Sequence, residues 1–184
     1  MNVPGPAIGF VEIESIARGM VVADVVVKRA FVTLSLAEPT TPGKYLLLFS
    51  GGVGEVEESF KAALEAAGPL VLDKLMLPQP ARGLVAALSG SFQDEWSESV
   101  GIVETHSVAS GLLAADAALK RAQVWLKKLH LARGIGGKAY FTFAGELHMV
   151  EAALEGAAAA IEPSLLCTAE LIRRPHVELR GPVL

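Results

Sequence analysis

A single cysteine, Cys167, stands in the chain's 184 residues, so no disulfide can form within it. It lies in the apolar run Leu165-Leu166-Cys167-Thr168-Ala169 and reads as a buried structural thiol. Charge is also scarce. Asp, Glu, Lys and Arg together make up 20% of the residues, with a net charge of −4, and the Lys-Arg pairs are scattered. That composition argues against a nucleic-acid partner. Uninterrupted apolar runs of about 18–20 residues, the length needed to span a bilayer, are missing. VVADVVV and AALEGAAAAI are each cut by an acid. The opening residues MNVPGPAIGF lack the basic start and apolar stretch of a secretory signal. The expectation is therefore a cytoplasmic protein with no membrane partner.

Recognisable catalytic and ligating patterns are missing too. The four histidines, His106, His130, His148 and His176, have no second His or Cys at metal-ligand spacing, which excludes a zinc site of the usual kind. His130 sits in a strand-like run and reads as a packed or interface residue. Gly134-Ile135-Gly136-Gly137-Lys138 lacks phosphate-loop spacing and leads into a strand, not a helix. No serine sits in a nucleophile elbow. Glu12 and Glu104 read either as an acid/base pair or, with more weight, as ion-paired residues at an interface. The expectation is a protein that is not an enzyme, with no catalytic, metal or cofactor residues.

What the chain does have is repetition. Residues 8–34, IGFVEIESIARGMVVADVVVKRAFVTL, return at 100–126 as VGIVETHSVASGLLAADAALKRAQVWL, with about half the positions identical. PGKYLLLFSGGVGEVE at 42–57 returns as GGKAYFTFAGELHMVE at 136–151. One unit has been duplicated and fused, giving a first domain over residues 1–95 and a second over 96–184. Three such chains would carry six similar domains with threefold symmetry. The hydrophobic fraction of 52% exceeds what two small domains can bury alone, which points to large subunit interfaces.

Each repeat spells β-α-β-β-α-β. Strands are expected at Ala7–Glu14 and Val100–His106, followed by helices over Ile16–Ala30 and Val108–Ala122 with Ser15 and Ser107 as N-caps. Both helices are apolar on most faces, so both should be covered on more than one side. Val32–Ala37 and Lys44–Ser50 form a tightly connected strand pair, as do Trp125–Ala132 and Lys138–Ala144. Helices at Val53–Ala67 and Glu146–Ile161 and closing strands at Leu70–Leu77 and Ser164–Ile172 complete the units. Arg82–Leu88 is a further short helix, and the polar segment after it reads as the inter-repeat linker. The fold class is α/β (α+β): two tandem ferredoxin-like domains, each a four-stranded sheet with both helices on one face.

IGFVEIESIARGMVVAD and VGIVETHSVASGLLAADAALKRA resemble the opening of bacterial microcompartment (BMC) shell proteins, whose signature is G-x-x-E in a strand and A-x-D-x-x-x-K in the following helix. The PGK and GGK turns look like that family's pore loops, and Arg173-Arg174-Pro175-His176 like its strand-ending R-P-H segment. Two copies point to the trimeric tandem-domain class, with most similarity to the propanediol-utilisation type. The resemblance implies a homotrimeric pseudohexamer packed edge to edge with other shell proteins in a microcompartment. A central pore would pass small polar metabolites and be lined by Thr40, Thr41, Pro42, Gly43, Gly134, Ile135, Gly136 and Gly137. The second loop's glycines either line the opening with backbone or only make a tight turn, and Glu38 lies close in sequence.

By position, Lys28, Lys120 and Arg174 match the family's edge residues, with Gln79 where the second repeat has Arg174. Lys28 and Lys120 also stand four residues after Asp24 and Asp116, so helix salt bridges compete with the edge role. The propanediol type carries a cysteine before P-G-K, and three copies of it hold an iron–sulfur cluster. Thr41 stands there in this chain, so no cluster is expected. The alternatives are a trimeric ferredoxin-like regulatory protein that binds a small metabolite, or a shell pore that carries a redox or metal group.

Overall fold

The computed structural model describes residues 5–93 and 97–179. The chain forms two compact units, one comprising residues up to Pro80 together with Ala132–Gly137, the other Ala81–Leu131 together with the residues from Lys138 onward.

In the first unit, strand β1 (Ala7–Ile13) leads into helix α1 (Ile16–Arg29). Ser15 caps the helix, its hydroxyl accepting the Arg18 N–H at 3.2 Å, and Lys28 and Arg29 sit in the last turn where the helix dipole favours cations. Strands β2 (Val32–Thr40) and β3 (Lys44–Gly51) form a hairpin, followed by helix α2 (Val53–Ala67) and strand β4 (Val71–Leu77). Gly68 ends α2 at φ 55°, its N–H returning to the Leu64 carbonyl. The sheet order is β2-β3-β1-β4, antiparallel throughout, which is the ferredoxin-like arrangement. Val11 and Ile13 of β1 and Leu47 and Phe49 of β3 pack with Val22, Val26, Val56 and Ala63 of the helices into one core. The opposite sheet face is not left to solvent, since Ile8, Phe10, Leu46 and Leu48 have no exposed surface in a single chain.

The second unit repeats the plan. After helix α3 (Arg82–Leu88) come β5 (Ser99–Thr105), α4 (Val108–Arg121), β6 (Trp125–Leu131), β7 (Ala139–Gly145), α5 (Leu147–Ala159) and β8 (Leu166–Arg173). The sheet order is β6-β7-β5-β8. Ser107 caps α4 by accepting the Ser110 N–H at 3.1 Å. Irregularities recur at matching places, between Leu34 and Leu36 in β2 and between Leu126 and Lys128 in β6. Helix α3, which follows the last strand of the first repeat, packs with α4 and β6 within the second unit. The physical reason is its apolar side, Leu84, Ala87 and Leu88, which is buried there.

The glycine of each G-x-x-E signature has a packing role. Gly9 pairs with Phe49, and Gly101 with Phe143, across neighbouring strands. A Cβ at Gly9 would meet the Phe49 ring at 2.5 Å, and one at Gly101 would meet the Phe143 ring at 2.4 Å. Each phenylalanine ring thus fills the space its partner glycine leaves, and both rings are fully buried. Gly9→Ala and Gly101→Ala should each destabilise the protein by about 1–3 kcal/mol through overpacking, measured as a lower urea midpoint.

Candidate functional site

The two loops expected to line an opening come together in the first unit. Antiparallel pairing carries β2 three residues beyond its expected end at Ala37, so Pro39 faces Tyr45 and Thr40 faces Lys44 across the hairpin. Proline is tolerated there because β2 is an edge strand. Thr40 is consequently a buried strand residue, and its hydroxyl has no hydrogen-bond partner among the described residues. Thr41, Pro42 and Gly43 form the exposed turn, closed by the Gly43 N–H donating to the Thr40 carbonyl at 2.8 Å, with Gly43 at φ 120°.

Ala132–Gly137 is the second loop, with Gly134, Gly136 and Gly137 all at positive φ. These glycines make the turn, since L-residues rarely adopt that conformation. Ile135 is half-buried and Gly137 is buried. A Cβ on Gly137 would lie 2.6 Å from Lys44 Cε and 3.1 Å from the Thr41 carbonyl oxygen. Glu38 is held by Arg133 through two hydrogen bonds of 2.8 and 2.7 Å, so its carboxylate faces a guanidinium. Together these loops border an open concavity of about 820 Å³.

Beneath the loops lies a charge pair. Lys44 Nζ donates to Glu12 Oε2 at 2.5 Å and to the Gly137 carbonyl at 3.1 Å. The Glu12 side chain has no exposure and that of Lys44 only 12%. One ammonium therefore neutralises a buried carboxylate and pins the second loop. The second unit repeats the pair, with Lys138 Nζ 2.8 Å from Glu104 Oε1. There the two side chains remain 43% and 35% exposed. The hydrogen bond to Glu104 and its negative charge hold the Lys138 ammonium above its ordinary value. Glu12 and Glu104 are thus both ion-paired, in unequal surroundings.

Lys28 and Lys120 make i,i+4 bridges to Asp24 and Asp116, each at 2.6 Å. Gln79, just after β4, and Arg174, just after β8, are exposed. Arg174 takes a left-handed φ of 51°, and its N–H donates to the Glu98 carbonyl at 2.7 Å. His130 stacks on Tyr140 with ring centroids 5.2 Å apart. Cys167 lies half-buried on edge strand β8, not deep in the core, because edge position leaves one side of the strand open. Burial pushes its thiol up, the Lys138 ammonium opposes this, and Glu104 adds to the rise. The α3-to-α4 contact and the loop clamp by Lys44 had no sequence signal, since each joins segments far apart in the chain.

The fold, the repeated Glu–Lys pairs and the paired loops define a tandem-domain protein of one family. The BMC domain model matches residues 7–80 and again 99–175, and the chain belongs to that family. It is a tandem-BMC shell protein of a bacterial microcompartment. It is 40% identical over 171 residues to the bacterial microcompartment shell protein PduT of Citrobacter freundii, covering 92% of this chain and 93% of that one. A microcompartment protein from Desulfitobacterium hafniense superposes with a TM-score of 0.85 at 38% identity, over 94% of this chain and 97% of that one. A fused permuted hexameric shell protein from the RMM microcompartment shares the fold, with a TM-score of 0.63, 21% identity and coverage of 83% and 82%.

Lys44→Met should strand the buried Glu12 carboxylate and release the loop. We expect a loss of about 3–5 kcal/mol in chemical denaturation, the usual penalty for breaking one side of a buried ion pair.

Proposed function

We propose that three copies of this chain close into a flat pseudohexameric tile whose central pore passes small polar metabolites. The observation that carries this reading is the inequality of the two Glu–Lys pairs. Glu12–Lys44 is covered by the loop Ala132–Gly137, whereas Glu104–Lys138 is half-exposed. Duplication makes the turn Thr41–Gly43 the counterpart of Ile135–Gly137. In a ring, that turn from a neighbouring copy would settle over Lys138 as the second loop settles over Lys44, and the Gly43 carbonyl would take the ammonium's second hydrogen bond. Three repetitions return to the starting copy, and closed cyclic symmetry needs no further contact.

In this arrangement Thr41, Pro42, Gly43 and the residues Gly134–Gly137 surround the opening, with Thr40 behind them. The Thr41 hydroxyls give a polar, uncharged rim, and Arg133 offsets Glu38 close by. These loop donors are hydroxyl and carbonyl oxygens. The thiolates that iron–sulfur iron requires are not among them, so the tile carries no such cluster at this rim. Lys28, Lys120, Gln79 and Arg174 lie at the tile edges against other shell proteins, where a lysine stem can follow apolar surface while its ammonium reaches carbonyls opposite. The protein acts as structure and conduit without catalysis, in the bacterial cytoplasm. No helix among the described residues is long and apolar enough to cross a membrane.

In sedimentation the protein should run as a trimer. Lys138→Met should weaken trimer association about 10- to 100-fold, the value of a charge-assisted hydrogen bond lost at an interface. A wild-type monomer would contradict the ring, and a variant trimer of unchanged affinity would remove Lys138 from its interface. In assembled shells, Thr41→Trp should slow passage of a small polar solute, and unchanged flux would remove Thr41 from the pore.

A further inference from the structure

Two helices that descend from one ancestral segment have different surroundings. On α4, the face bearing Asp116 and Leu119 is covered by α3. The Ala81 N–H donates to Asp116 Oδ1 at 2.6 Å, and a Cβ on Gly83 would approach Leu119 Cδ1 to 3.3 Å. Close approach through glycine leaves the Asp116 side chain only 5% exposed. The matching face of α1 carries Asp24 and Val27 at the positions of Asp116 and Leu119. In a single chain that face lies open. The Asp24 side chain is 57% exposed, Met20, Val21 and Val27 are exposed, and Phe31 just beyond the helix is 93% exposed. Large apolar groups gathered on one helix mark an interaction surface.

The chain's own repetition indicates what covers it. α3 follows the last strand of the first repeat and packs in the second unit. The last strand of the second repeat is followed by residues 174–184, and Arg82-Gly83-x-Val85 of α3 recurs there as Arg180-Gly181-x-Val183. Val177, in the 3-10 turn Val177–Leu179, is itself an exposed apolar residue. We propose that the open face of α1 is the seat for Val177 and residues 180–184 of a second copy of the chain, while Leu179 stays on its own unit's core beside Val100 and Ala144. Asp24 and Val27 would receive that segment as Asp116 and Leu119 receive Ala81 and Gly83. Each repeat thus hands the segment after its last strand to the next repeat around the ring. The inference rests on the ring proposed above and names a contact which that ring does not by itself require.

The test places the photoreactive residue p-benzoylphenylalanine at the exposed position 31 and mixes isotope-labelled with unlabelled copies before irradiation. Peptide mapping should find residue 31 joined to the 177–184 peptide with labels mixed, showing that the contact joins two copies. A chain ending at His176 should lose this product, and its trimer should dissociate about tenfold more readily. A trimer whose crosslinks map elsewhere, or only within one copy, overturns the seat and leaves the ring standing. So does a truncated trimer of unchanged stability. A protein that remains monomeric at all concentrations overturns both.

Discussion

The ammonium of Lys44 is the point on which the loop architecture depends. It sits where β3 begins, beside a fully buried carboxylate on the central strand β1, and it holds a carbonyl from a loop far away in sequence. A buried carboxylate without a cation is strongly unfavourable. Folding the first unit therefore also fixes where Ala132–Gly137 must lie. Gly137 permits the close approach, since a Cβ there would press into the Lys44 side chain and crowd the Thr41 carbonyl. This pair gives the second loop, and with it one wall of the concavity between the loops, a fixed position.

Gene duplication explains why the same chemistry occurs twice and is completed only once within a chain. Glu104 and Lys138 repeat the charge pair without the covering loop. Asp24 and Val27 repeat the helix face without the covering segment. Two independent surfaces, one at a loop and one on a helix, thus show the same pattern of an occupied copy beside an open one. A cyclic assembly of identical chains satisfies both with segments the chain already has. A lone chain would leave a charge pair half-hydrated and a row of apolar side chains in water. The high apolar content of the sequence fits the first arrangement.

Much of the fold was legible in the sequence because its signals are local. Ser15 and Ser107 mark helix starts through a bond three residues long, and the strand and helix periods do not depend on distant partners. The G-x-x-E motif was readable as a signature, but its cause, the phenylalanine ring over each glycine, comes from strand register. What escaped was long-range. The extension of β2 through Pro39 to Thr40 depends on pairing with β3, and it turns an expected loop residue into a buried one. The allegiance of α3 to the second unit follows from which apolar surface was free to receive Leu84 and Leu88. The inequality of Glu12 and Glu104 is invisible in two nearly identical strands, because it resides in what lies above them.

The ring stands or falls on whether a neighbouring copy completes the uncovered Lys138. A crystal structure of the assembled protein tests it most directly. Three copies should lie about one axis, with each Lys138 ammonium within hydrogen-bond distance of the Gly43 carbonyl of the adjacent copy. An assembly in which the turn Thr41–Gly43 faces solvent and Glu104–Lys138 stays half-exposed would contradict it.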